Sequence, residues 1–276
     1  MSGPPANKKE SFLRKLGPGL ITGAADDDPS GIATYSQAGA QFGLDMLWTS
    51  LVTFPLMVGI QIVSARIGRV TGEGLAANIR RLYPRWVLLM VVALLVVANT
   101  INIAADIAAM GEALQLVIGG GEHGHAIIFG VVSLLLQVFI PYHRYVRVLK
   151  WLTLSLLAYV AVAFSVHIDW ARAIQQSFAP TLSFNPDFIA VVVAVFGTTI
   201  SPYLFFWQAS QEVEELRGGH GSSLKSTPVD ARAHLRRIKI DTYVGMGFSN
   251  LIAFFIILSA AVTLHVAGIT EIRTSA

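Results

Sequence analysis

Three consecutive aspartates, Asp26, Asp27 and Asp28, interrupt an otherwise apolar stretch, Leu16–Leu44, and run directly into Pro29-Ser30-Gly31. Carboxylates are costly inside an apolar segment, and there they mark a functional position by default. Proline removes a backbone donor and clashes with the preceding turn, while glycine permits unusual dihedrals. The pattern predicts a break with Gly17–Asp27 as one half-helix and Ile32–Phe42 as the other. A second break is predicted at Gly197-Thr198-Thr199-Ile200-Ser201-Pro202, again inside a continuous apolar run. An unwound backbone exposes carbonyl oxygens, and an anionic side chain beside free carbonyls is a cation site. One proline kink would be ordinary helix architecture. Two at matching positions, one of them carrying carboxylates, favour a site. Neither 23–34 nor 197–208 contains Met, Cys or His, so both breaks offer oxygen donors alone.

The elements that must position these residues are legible in the charge distribution. Only 13% of the 276 residues are charged and 54% are hydrophobic, against about 25% charged in an average soluble domain. Mean hydropathy is +0.60. Disorder is excluded by this apolar content, and zero cysteines exclude a disulfide scaffold or thiolate chemistry. Runs free of Asp, Glu, Lys and Arg occur at Met46–Ala65, Trp86–Ala105, Ala126–Tyr142, Trp151–Ile168, Phe188–Gln211 and Thr242–Thr270. A bilayer crossing takes about 20 apolar residues, so each run is a candidate span, and Leu16–Leu44 makes a seventh.

With a cytoplasmic N-terminus, eighteen of the twenty Lys and Arg fall on the inner side, leaving only Arg172 and Arg273 outside. The net charge of +3 is then a matter of topology and anionic lipid, not of nucleic acid. The predicted organisation is a cytoplasmic tail over 1–15, a first five-helix unit over 16–169 and an external loop over 170–186. Two further helices follow over 187–276, with a cytoplasmic loop at 212–241.

Asn99, Asn102 and Asp106 share one face of the third span. Lining a water path and hydrogen bonding to neighbouring helices are equally open readings for them. Glu212, Glu214 and Glu215 read as a solvated face. No nucleophile–base pair, HExxH, GxSxG or Walker loop supports an enzyme, and nothing indicates a cofactor or an obligate protein partner.

Gly17-Pro18-Gly19, Asp28-Pro29, Ala33-Thr34, Gln37-Ala38-Gly39, Phe42-Gly43 and Leu47-Trp48 resemble the first span of the Nramp family of divalent-metal transporters. Gln61-Ile62, Ser64-Ala65, Gly68 and Thr71-Gly72 extend the likeness through the second span, Ala105-Asp106 through the third and Gly197–Pro202 through the sixth. The resemblance implies an all-α polytopic membrane protein of LeuT-like inverted-repeat fold, alternating access and transport of divalent metal across the cell membrane. Ten spans are then expected, and the chain reads as truncated after its seventh.

The resemblance also implies a metal site. Asp28 matches the family's aspartate and Thr198 its carbonyl donor. Gly31 stands where the family has Asn, Ser201 where it has Met, and Tyr203 where it has His. Asp106 is kept, while Ala109 replaces an acid associated with proton movement. Loss of the thioether favours Mg²⁺, Ca²⁺ or Mn²⁺ over softer ions. Glycine in place of Asn is expected to enlarge the cavity for a partly hydrated ion, and Mg²⁺ commonly keeps several waters. The expectation is an Nramp-related magnesium transporter, admitting Mn²⁺, with weak or no proton coupling and metal contacts at Asp28, Gly31, Thr198 and Ser201. Asp26, Asp27, Asn102, Asp106, Tyr203 and Gln208 are expected along a polar pathway. The alternatives are a proton-coupled Mn²⁺/Fe²⁺ importer and, more distantly, a Na⁺-coupled organic-solute symporter.

Overall fold

The computed structural model describes residues 23, 25–140, 153–218 and 231–272, and among these every regular element is helical. Helix α1 (Pro29–Phe42) passes through a 3₁₀ turn at Gly43–Met46 into α2 (Leu47–Thr71). Then come α3 (Leu75–Leu82), the long α4 (Arg85–Ile118) and α5 (Glu122–Phe139). After them lie α6 (Leu157–Ser165), α7 (Trp170–Phe178), α8 (Pro186–Thr199) and α9 (Pro202–Gly218). The last is α10 (Ala231–Ala260), which widens into a π turn at Ala261–His265. Four stretches, Pro29–Thr71, Arg85–Ile118, Pro186–Arg217 and Ala231–His265, are long and apolar enough to cross a bilayer. The all-α polytopic expectation holds.

Both breaks are narrower than the proline and glycine pattern predicts. Helix α1 begins at Pro29, three residues before the expected Ile32, because its N-terminus is well provided for. Proline at the first helical position gives up an N–H that would be unbonded anyway. Asp28 caps the turn, its side chain accepting from the Gly31 N–H at 2.7 Å. The second gap is only Ile200-Ser201, between α8 and α9. Two expected loops are also shorter. The external segment 170–186 opens with α7, whose N-cap Asp169 accepts from the Arg172 N–H at 3.1 Å. The loop expected at 212–241 is helical up to Gly218 and again from Ala231.

The core is built where α1 and α10 pack, with α8 and α6 alongside. Tyr35, Ala38, Ile252, Ile256 and Ile257 are buried there. A Cβ added to Gly39 would run into the Ile257 carbonyl, so the two backbones touch only because this side chain is absent. Between membrane helices small residues allow such approach, and dispersion then holds the pair. Gly39→Val would push α1 off α10 and displace the break that α1 begins. By contrast, α4 and α5 turn large apolar side chains outward, with Leu94, Val97 and Ile101 at 63%, 58% and 65% exposure. Such a surface belongs against acyl chains or further helices rather than water.

At the far end of α9 the expectation of a solvated acidic face fails for Glu212. It is fully buried, and Arg237 of α10 donates to its two oxygens at 3.0 and 3.4 Å. The same guanidinium meets Glu215 at 2.7 Å, while Glu214 is exposed. Arg69 of α2, also buried, lies 2.8 Å from the His234 ring on α10. An ionic contact thus ties α9 to α10, and an arginine–histidine hydrogen bond ties α2 to it.

Candidate cation site at two helix breaks

The two breaks meet in space. Tyr203, one residue past Pro202, carries a hydroxyl with two acceptors in reach, Asp28 Oδ2 and the Ala25 carbonyl, both at 3.0 Å. From α4, Asn102 donates its amide N–H to Asp28 Oδ2 at 2.8 Å. Ser30 donates to Asp28 Oδ1 at 2.7 Å and lies at the same distance from Asn102 Oδ1. The Ser30 N–H, a second free donor of the first turn of α1, finds Asp106 Oδ1 at 3.2 Å. Two carboxylates therefore sit at one helix N-terminus, where backbone N–H groups and the helix dipole favour negative charge.

The second break contributes oxygen. Pro202 has no N–H for the Thr198 carbonyl, and the Ser201 hydroxyl takes that place at 2.6 Å. Beside the breaks lies a cavity of about 260 Å³, lined among others by Ser30, Asn99, Asn102, Thr198, Ser201 and Tyr203. Its polar lining is hydroxyl and amide; Asp28 is not itself a lining residue but is hydrogen-bonded to three that are, Ser30, Asn102 and Tyr203. A cation bound there would find hard oxygen ligands with room for water.

Most of the residues expected at the site converge on it. Asp28, Thr198, Ser201, Asn102, Asp106 and Tyr203 all lie at the two breaks or bond to them. Gly31 is placed differently from expectation. A Cβ there would lie 3.1 Å from the Asp26 carbonyl, 3.3 Å from Asp28 Oδ1 and 3.5 Å from the Thr198 hydroxyl. The chain closes in around this glycine instead of leaving a void, and the open space lies toward α4. Gln208 is fully buried on α9 and is not among the residues lining the cavity.

Asp26 and Asp27 are buried, with 2% and 6% exposure. Ser249 of α10 donates to Asp26 Oδ2 at 2.8 Å, whereas neither carboxylate oxygen of Asp27 has a hydrogen-bond partner among the described residues. Sequence reasoning missed Ser30 and Ser249. Ser30 had a readable signal, since the residue after a proline at the first helical position sits within reach of its N-cap. Ser249 had none, because its role depends on α10 packing against the break.

Relatives of known name share this organisation of sequence. The divalent metal cation transporter MntH of Caldanaerobacter subterraneus is 26% identical over 92% of this chain and 59% of its own length. The protein of that name from Agrobacterium fabrum is 27% identical over 98% of the chain and 58% of its own. For Klebsiella pneumoniae the figures are 28%, 94% and 61%. The chain thus spans about six-tenths of the length of these curated relatives. Residues 19–276, which hold both breaks and every side chain around Asp28, match the family described as natural resistance-associated macrophage protein-like, and the chain belongs to this Nramp family of multi-pass membrane proteins.

Proposed function

We propose that the protein moves divalent metal cations across the membrane by alternating access, with Mg²⁺ as the preferred cargo and Mn²⁺ admitted, carried partly hydrated and with little or no proton coupling. The observation that carries this reading is Asp28, held between two facing helix breaks whose remaining donors are all oxygen. Carboxylate, carbonyl, hydroxyl and water suit Mg²⁺ and Mn²⁺, and the lack of a thioether at Ser201 removes the ligand that favours softer ions. The relatives' shared name, divalent metal cation transporter, supports the cargo class. A cavity of about 260 Å³ leaves room for retained water, which Mg²⁺ surrenders reluctantly.

An organic anion fits poorly. The Ser30 and Gly31 N–H groups, which a substrate carboxylate would need, already serve Asp106 and Asp28. The proton-coupled Mn²⁺/Fe²⁺ importer has one specific observation in its favour, the placement of Asp106 against the start of α1. The deciding measurement is uptake into proteoliposomes holding the complete protein, with a Mg²⁺ indicator and a pH indicator inside. Mg²⁺ uptake without acidification is expected. Mn²⁺ uptake with matching acidification and no response to Mg²⁺ would replace this reading with the importer.

A further inference from the structure

A carboxylate offers four lone-pair positions, and in this structure Asp28 has four donors. Gly31 N–H and the Ser30 hydroxyl meet Oδ1, while Asn102 N–H and the Tyr203 hydroxyl meet Oδ2. Every position on the anion is filled, so a cation gains direct contact only if a donor withdraws. The Gly31 N–H is fixed as the cap of α1, and the Asn102 amide cannot leave without turning its side chain. The two hydroxyls are different. Each carries one hydrogen and has two acceptors at equal distance: Asp28 and Asn102 Oδ1 for Ser30, both at 2.7 Å, and Asp28 and the Ala25 carbonyl for Tyr203, both at 3.0 Å.

We propose that the Ser30 and Tyr203 hydroxyls are a pair of two-position donors that hold Asp28 satisfied while the site is empty and release it when a cation arrives. With no cation, a hydrogen bond to the charged carboxylate is the stronger choice for each hydroxyl. A cation on Asp28 repels the hydroxyl hydrogens, which turn about their C–O bonds onto Asn102 Oδ1 and the Ala25 carbonyl. The hydrogen is withdrawn from one lone pair on each carboxylate oxygen, and the hydroxyl oxygen, no longer held to Asp28, draws back toward its second acceptor to admit the cation. No side chain changes rotamer, no buried hydroxyl is orphaned and no proton leaves the protein. The second acceptors matter most, because without them each displaced hydroxyl would be left unbonded and cation binding would carry that penalty. Ser30 and Tyr203 are thus positioning residues, acting on the cation through Asp28.

The inference rests on the reading of Asp28 as the cation's anion, and its test separates the two. Mg²⁺ and Mn²⁺ binding to the complete, detergent-purified protein is measured for wild type, Asp28→Ala, Tyr203→Phe and Ser30→Ala. Removing a competing donor is expected to tighten binding, roughly three- to tenfold for each hydroxyl, while Asp28→Ala abolishes it. A purely structural hydroxyl would leave affinity unchanged, and a hydroxyl that ligates the metal would weaken binding when removed. Either result for both variants, with wild type binding and Asp28→Ala inert, overturns the two-position donors and leaves the cation site standing. Wild type that binds neither metal, or Asp28→Ala that binds as wild type does, overturns both.

Discussion

Glu212 and Asp28 are both carboxylates held within the helix bundle, and the protein satisfies them in opposite ways. Glu212 is met by a cation of the chain itself, Arg237 at 3.0 Å, which also reaches Glu215. Asp28 is met by four neutral donors, and none of its described contacts is a Lys or Arg. Hydrogen bonds satisfy geometry in both places, but only at Glu212 does a cation of the chain itself offset the charge, one guanidinium shared with Glu215. Such a pair between α9 and α10 is a fastener. An anion that is fully hydrogen-bonded yet uncompensated, next to a cavity with hydroxyl and amide lining, is what the proposed function reads as a seat for a cation from outside.

The sharpest way to break that contrast is to remove each carboxylate's counterpart in turn. Asp28→Ala takes away the uncompensated charge at the two breaks. Divalent-cation uptake by the complete protein in proteoliposomes should fall by about hundredfold or more, since even supporting groups around a metal are worth about 10–100-fold. Loss of the α1 N-cap should also lower stability by about 0.5–2 kcal/mol, so fluorescence-detected melting checks that the variant is folded when its uptake is read. Uptake that persists within a few-fold of wild type would reduce Asp28 to a helix cap.

At Glu212 the expected pattern is inverted. Arg237→Ala strands a fully buried carboxylate and should destabilise the protein by about 3 kcal/mol. Glu212→Gln should cost less, because Arg237 keeps Glu215 at 2.7 Å and is itself 29% exposed. Metal affinity in the protein that remains folded should not change in either variant. Equal costs for the two substitutions would mean that the pair is not what holds α9 to α10.

The same contrast explains what was legible in the sequence. Asp28 stood out because a carboxylate followed by proline in an apolar run has few structural reasons to exist. Helical spacing put Asn102 and Asp106 on one face but left open whether they line a path or bond to a neighbouring helix, and both bond to the start of α1. Glu212 was misread because its burial depends on an arginine 25 positions later on another helix, which no local pattern records. The space expected at Gly31 was misplaced for a related reason. Removing a side chain opens a cavity only if the backbone stays where it was, and here Asp26 and Thr198 close in. Helix α7 escaped notice because a nine-residue amphipathic helix has too short a pattern to separate from a loop.

Selectivity sharpens the comparison on the cation side. Ser201 stands at the second break with its hydroxyl on the Thr198 carbonyl, at the edge of the cavity. Ser201→Met would free that carbonyl and introduce a polarizable sulfur, the donor type that favours softer metals. The Mn²⁺-to-Mg²⁺ affinity ratio, read by titration calorimetry, should rise by about tenfold, the equivalent of roughly 1.4 kcal/mol. An unchanged ratio would show that position 201 does not face the ion.

The smallest expected effect tests whether burial, and not merely opposite charge, makes the Glu212 pair a fastener. Glu73 and Arg81 form an ion pair of similar length, 3.2 Å, but their side chains are 44% and 58% exposed. Water and salt screen such a pair, and holding two long side chains in one geometry offsets much of the Coulomb gain, so exposed pairs contribute about 0.2–1 kcal/mol. Arg81→Ala should therefore shift stability by no more than about 0.5 kcal/mol, with the difference vanishing at high salt. Arg237→Ala should keep most of its cost under the same conditions, because Glu212 is desolvated whatever the ionic strength. Parallel melting curves of the two variants at low and high salt make the measurement, and a cost for Arg81→Ala matching that of Arg237→Ala would undo the distinction between a buried fastener and a solvated pair.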